Sequence, residues 1–179
     1  WIDRAQYGAA AGHPALGAAD YKLVTHLPSG RGVYTFCMCP GGTVIAAASE
    51  EGGLVVNGMS EFARDAVNSN SALLVGVTPA DFPDDHPLSG ITLQRQMERA
   101  AFTLGGGQYR APVQLVGDFL HGRASSRAGE VLPSYRPGVT WCDLTDCLPP
   151  FVSASLREAI PQFGHRLRRF DDRDAVLTG

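Results

Sequence analysis

The chain has 179 residues, 44% of them hydrophobic and 18% charged, a composition typical of one globular domain. A formal net charge of −3 without a basic cluster argues against a nucleic-acid surface, because phosphate binding needs concentrated Lys and Arg. No apolar run approaches the roughly 20 residues that span a bilayer, so we expect no membrane contact. The four cysteines are too few and too irregularly spaced for a disulfide scaffold, which favours a reducing, cytoplasmic location.

In chain order, strands are predicted first and helices second. Residues 1–20 form an irregular lead-in, because glycine and proline recur there. Strands are predicted over residues 21–27, 33–38, 43–48, 54–57 and 71–77, so that residues 21–78 form a sheet portion. The turns between these strands are short, which favours antiparallel pairing of neighbours.

Helical spacing of apolar residues begins after the sheet portion. It runs from Leu93 to Leu104 and from Val152 to Phe163, and a shorter helix is indicated between Leu115 and Leu120. Residues 90–170 are therefore expected to be mainly helical. This order predicts a single domain of the α+β class, with a mostly antiparallel sheet and helices packed on one face or end.

A turn rich in thiols and glycines follows the second predicted strand, as Cys37-Met38-Cys39-Pro40-Gly41-Gly42. Side chains two residues apart on a strand share a face, so Cys37 and Cys39 are expected to point the same way. They are interpreted either as buried inert thiols or, for Cys39, as a ligand-facing group, and a disulfide between them would be strained. A zinc site shared with Cys142 and Cys147 is a weaker alternative, because these spacings are uncommon for zinc.

The glycines of this turn have two readings. Pro40, Gly41 and Gly42 either supply the positive φ of an ordinary turn or let backbone approach a flat ring closely. A polar group follows, formed by Asn57, Ser60, Arg64, Asn68 and Asn70. It is either a substrate site, with Arg64 as the anchor for an anionic group, or a set of turn and cap residues in which Ser60 caps a helical turn.

Nucleotide-binding motifs are absent from the sequence. It has no G-x-G-x-x-G and no phosphate loop, so the backbone N–H cradle that usually holds a pyrophosphate is missing. Tight binding of FAD by these residues alone is therefore not expected. The sequence also singles out no general acid or base, so the catalytic residues stay unknown.

Five segments together resemble a known family. They are residues 32–60, residues 64–71, Trp1–Gly8, Ala111–Phe119 and Asp174–Gly179. Over nearly its whole length the chain is similar to the uncharacterised FAD-dependent dehydrogenase family of bacterial flavoproteins, in the part between that family's two flavin-binding segments.

The resemblance implies a fragment of a flavin-dependent oxidoreductase. It implies an insert-type domain that covers FAD from the substrate side, with FAD held by the remainder of the same polypeptide. The residues expected near the flavin or a small-molecule substrate are Cys37, Cys39, Pro40, Gly41, Gly42, Asn57, Ser60, Arg64, Asn68 and Asn70. The alternative is a non-catalytic module that binds a small molecule or a protein.

Overall fold

The computed structural model describes residues 2–17 and 22–179. In these residues the helices are α1 (Ile2–Tyr7), α2 (Ser89–Leu104), α3 (Val116–Leu120) and α4 (Pro150–Arg166). The strands are β1 (Val24–His26), β2 (Gly32–Cys39), β3 (Gly42–Ala46), β4 (Val56–Ser60), β5 (Asn70–Val75), β6 (Ala111–Leu115), β7 (Val139–Trp141) and β8 (Val176–Thr178). Most strand pairs are antiparallel, so the predicted α+β class is confirmed.

The first sheet has the order β1-β2-β5, with both pairs antiparallel. Val33 of β2 is completely buried, and it shares a hydrophobic core with Leu156, Ile160 and Phe163 of α4. Helix α4 therefore covers one face of this sheet. The other face of β2 stays accessible, since Phe36 is 60% exposed.

The second sheet pairs β3 with β4, and it corrects the expected order of neighbours. Turn 40–42 was predicted to join two adjacent antiparallel strands, but β2 pairs with β5 and β3 pairs with β4. The turn is therefore a corner between two sheets. The short link alone could not show this, because a corner and a hairpin both need only a few residues.

The third sheet has the order β7-β6-β8 and was not predicted. Strands β6 and β7 are parallel, and β6 and β8 are antiparallel. Residues 90–170 are thus not mainly helical, because β6 and β7 lie between α2 and α4. Two of these strands have three residues, which is too short for alternation to be recognised, and Pro112 in β6 argues against a strand.

The predicted boundaries differ from the structure at the start of the chain. The lead-in contains helix α1 and a 3₁₀ turn over Gly8–Ala10, where irregular chain was expected. The first predicted strand began at residue 21, which lies outside the described residues, and β1 is the shorter Val24–His26. Within the described ranges, no helix has both the length and the apolar character to cross a bilayer.

Candidate functional site

The turn after β2 is packed against the loop that joins β4 and β5, which we call the 61–69 loop. Gly41 has a φ of 53°, and a Cβ built on it would lie 1.9 Å from the backbone oxygen of Arg64. The Gly41 carbonyl accepts a hydrogen bond from the Ala66 N–H at 3.2 Å. Glycine is required here for two reasons, the left-handed backbone and the close approach of the loop.

Gly42 is held in the same way by its neighbours. Its N–H donates to the Asn68 carbonyl at 2.8 Å, and a Cβ on it would lie 2.2 Å from the Met59 carbonyl oxygen. The space left by the missing side chains of Gly41 and Gly42 is therefore filled by this chain's own backbone. Of the two readings of these glycines, the structure supports construction of the corner rather than contact with a ring.

Asn70 lies between the first and second sheets. It pairs with Cys39 across the β2–β5 ladder, and its Nδ2 donates to the Thr43 carbonyl at 3.3 Å. Its Oδ1 is buried and accepts no hydrogen bond from the described residues. A Cβ on Gly58 would lie 1.9 Å from this oxygen, so Gly58 makes room for the amide.

Two more of the predicted polar residues join this corner. The Ser60 hydroxyl donates to the Pro40 carbonyl at 3.1 Å, and the Asn68 Nδ2 donates to the Leu132 carbonyl at 2.9 Å. Ser60 is the last residue of β4, so the alternative that it caps a helical turn is wrong. The Ser60 side chain thus links the end of β4 to the turn, and the Asn68 side chain links the 61–69 loop to Leu132.

Asn57 is not brought into the corner. It is exposed and lies opposite Ile45 in the β3–β4 ladder, three residues from Ser60 along β4. Its Oδ1 accepts a hydrogen bond from the Gly58 N–H at 2.9 Å, a local turn-like contact. The other predicted residues lie at the end of β2, in the turn, at Ser60 of β4, in the 61–69 loop and at Asn70 of β5.

The 61–69 loop exposes apolar side chains beside three charged ones, which are Glu61, Arg64 and Asp65. Phe62 and Val67 of the 61–69 loop are fully exposed, and Met59 beside them is 50% exposed. Arg64 lies between Phe62 and Val67 in sequence, has a φ of 52° and is exposed, and its guanidinium has no hydrogen-bond or ion-pair partner in residues 2–17 and 22–179. Its guanidinium is thus available to an anionic group. Sequence reasoning found Arg64 but missed Phe62, whose signal is an aromatic residue in an otherwise polar run.

The Cys37–Cys39 segment contains a β-bulge. Phe36 pairs with Ala72 and Cys39 pairs with Asn70, so three residue steps on β2 oppose two on β5. Cys37 adopts a φ of 51° at this bulge, which interrupts the regular alternation of side chains. The prediction that both thiols share a face assumed regular strand alternation from Cys37 to Cys39, and that assumption was wrong. Cys37 is exposed, and the Cys39 Sγ lies 3.2 Å from the Cys37 carbonyl oxygen.

The other two cysteines lie in a separate region. Cys147 is buried in the core formed with Leu144 and Ala111, and Cys142 packs against it. Burial raises the pKa of Cys142 to about 11 and that of Cys147 to about 12, so both stay protonated at neutral pH. The described part of the chain has no group of three or more metal-binding side chains, and the zinc alternative with four shared thiols is not supported.

Two small pockets of the described residues lie away from the corner. The two pockets that stand out each have a volume of about 230 Å³, below the range of about 300–1,000 Å³ usual for ligand sites. One lies at the end of β6 beside Asp118 and His121, and the other beside β3. Neither is at the corner formed by turn 40–42 and the 61–69 loop.

Comparison with known proteins assigns the chain to a family. The family model described as "FAD-dependent protein, C-terminal domain-like" matches residues 1–179. The chain belongs to this family. It is a flavoprotein-associated domain, and the family description supports FAD as the cofactor of a parent protein.

A longer bacterial relative of the FAD-dependent C-terminal-like domain is known. An uncharacterized protein of Clostridium beijerinckii is 54% identical over 175 residues, which cover 97% of this chain. The match covers 33% of that protein, so the chain spans about a third of the relative's length.

Proposed function

We propose that this chain is the substrate-side cover of a flavin-dependent oxidoreductase, and that FAD is gripped by other segments of the same polypeptide. Membership of the FAD-dependent C-terminal-like family supports the flavin. The absence of a pyrophosphate cradle from the sequence supports a grip located elsewhere. The resemblance to dehydrogenases supports redox catalysis as the activity of the parent protein. We further propose that the protein is cytoplasmic and that this chain lies between two flavin-binding segments.

One observation carries the proposal. The thiol and glycine turn at residues 37–42 and the polar segment 60–70, which are separate in sequence, meet at one corner through direct backbone contacts. That corner presents a mixed surface, with exposed apolar side chains, the carboxylates of Glu61 and Asp65 and the unpaired guanidinium of Arg64, whereas the glycines behind it are fully packed. The apolar side chains of this preformed surface are suited to exclude water from a reacting centre, and FAD would supply the electron transfer when bound.

The surface also suggests what the small-molecule substrate carries. A guanidinium that no described residue neutralises binds carboxylate or phosphate well, because it donates two parallel hydrogen bonds. Arg64 is therefore the proposed anchor for an anionic group of the substrate. The Cys39 thiol, half-buried at the base of the corner, lies beside Asn70 and completes the proposed site.

The test uses a chimera in which this chain replaces the matching third of the Clostridium beijerinckii protein. We expect the chimera to purify with FAD and the isolated chain to purify without it. Tight FAD binding by the isolated chain would contradict the proposal. The natural Clostridium beijerinckii protein is prepared in parallel as the reference. If it holds FAD while the chimera is folded but free of flavin, the proposal is also contradicted. That result would favour the non-catalytic binding module.

The proposed role of Arg64 as the anchor for an anionic group is tested separately. Arg64→Gln in the chimera removes the positive charge and leaves a shorter polar side chain, while Arg127→Gln makes the same change at an exposed arginine outside the corner. The flavin spectrum is then titrated with a series of small carboxylates and phosphates. A spectral response that is lost with Arg64→Gln and kept with Arg127→Gln is expected, and equal responses in both variants would remove Arg64 as the anchor.

A further inference from the structure

The 61–69 loop exposes two large apolar side chains beside the charged Glu61, Arg64 and Asp65. Single exposed apolar side chains are ordinary on protein surfaces. Here Phe62 and Val67 are both fully exposed on one nine-residue loop, and Met59 lies at its border. Burying these side chains would remove apolar area from water, so contact with a partner would stabilise the loop.

The same loop is fixed in place before any partner arrives. The Ala66 N–H and the Asn68 carbonyl are hydrogen-bonded to Gly41 and Gly42, and the Asn68 amide reaches the Leu132 carbonyl. A turn within the loop is closed by the hydrogen bond from the Arg64 N–H to the Glu61 carbonyl at 3.0 Å. Such a loop loses little conformational entropy on binding, which favours a role as a contact surface.

We infer that the 61–69 loop docks onto the flavin-binding part of the same polypeptide, with Phe62 and Val67 as its apolar anchors. The inference rests on the proposed function for the identity of the partner. About two thirds of the Clostridium beijerinckii relative lies outside the region that this chain matches, so that protein carries the further chain that would cover the loop. Covalent linkage gives that segment a high effective concentration, which favours it over a second copy as the occupant.

The docked loop is detected by oxidative footprinting of side chains. In the isolated chain, Phe62 and Met59 are expected to be modified rapidly, because both are exposed. In the chimera with the Clostridium beijerinckii protein they are expected to be protected. Leu88 and Ile91, which are 58% and 45% exposed at the start of α2, serve as controls whose modification stays unchanged.

A pair of double variants tests the anchors. Phe62→Ser with Val67→Ser should shift the docked-to-undocked ratio in the chimera by at least about a hundredfold, since two buried apolar side chains are lost. The readout is restored modification of Met59 and faster proteolysis between the chain and the rest of the chimera. Leu88→Ser with Ile91→Ser removes comparable apolar area from another surface and should change neither. Urea unfolding of both double variants as isolated chains shows that folding is retained.

The outcomes separate the docking inference from the proposed function. If the chimera holds FAD while Phe62 and Met59 react as fast as in the isolated chain, docking through this loop is wrong and the flavin assignment stands. If the chimera holds no FAD while the loop is protected, docking stands and the flavin cover is wrong. If the loop is already protected in the isolated chain, and Phe62→Ser with Val67→Ser converts a dimer to a monomer, a second copy is the occupant and the inference is overturned.

Discussion

Replacing Gly41 with alanine is expected to destabilise the isolated chain by about 2–5 kcal/mol. A left-handed alanine costs about 1–2 kcal/mol by itself. The new Cβ would lie 1.9 Å from the Arg64 carbonyl oxygen, so the turn and the 61–69 loop must move apart. This movement removes the hydrogen bonds from the Ala66 N–H to Gly41 and from the Gly42 N–H to Asn68, at about 0.5–1.5 kcal/mol each.

Gly30→Ala is the matched control. Gly30 has a φ of 82°, and a Cβ built on it meets no atom within 4 Å, so this variant carries the left-handed cost alone. The free energy of unfolding of both variants is measured by urea titration, with the slopes compared to confirm that the same transition is observed. A Gly41→Ala chain no less stable than Gly30→Ala would refute the close packing of the turn against the 61–69 loop.

Three further predictions concern other parts of the chain. Gly58→Ala should destabilise the chain, because its Cβ would lie 1.9 Å from the Asn70 Oδ1. Adding Asn70→Ala in a double variant should recover part of that loss. If the free energies of unfolding measured in urea are simply additive, the contact between Gly58 and Asn70 is refuted. Hydrogen bonds from Arg31 and Thr78 hold the pKa of the Asp81 carboxyl far below its usual range. The ionised Asp81 therefore stabilises the folded chain above its unfolded pKa of about 3.9, and this stabilisation is lost as the pH falls. Asp81→Asn should lower Tm at neutral pH, by an amount that shrinks below about pH 4. A difference in Tm that does not depend on pH would refute this role of Asp81. An aromatic disulfide reagent should label Cys37 and Cys39 quickly in the native chain, and Cys142 and Cys147 only after unfolding. The reason is that burial raises the pKa of Cys142 to about 11 and that of Cys147 to about 12. Fast labelling of all four cysteines in the native chain would contradict the structure.

The elements with strong periodicity could be predicted from the sequence. Helices α2 and α4 were located because apolar residues repeat at helical spacing from Leu93 to Leu104 and from Val152 to Phe163, within helices of sixteen and seventeen residues. Strands β2 to β5 were located within a few residues, because turn residues separate them. Strands β6, β7 and β8 were missed, since their pairing depends on contacts between residues far apart in sequence, such as Val113 with Thr178.

The residues of the corner could be named from the sequence, but their contacts could not. Gly41 and Gly42 were recognised as turn residues, and the sequence did not show that the Arg64 and Met59 backbones fill the space beside them. Asn57 was grouped with Ser60 by proximity along the chain, although the two point to different contacts in β4. The bulge at Cys37 also escaped prediction, because it is defined by the register with β5.

Shielding of the flavin in the chimera tests the central claim, that this chain covers a cofactor held elsewhere. Collisional quenching of flavin fluorescence by iodide is measured for the chimera and for its Gly41→Ala and Gly30→Ala variants. We expect weak quenching in the unchanged chimera and in Gly30→Ala, and strong quenching in Gly41→Ala, where the corner is displaced. Equal quenching in all three, at the level of free FAD, would contradict it.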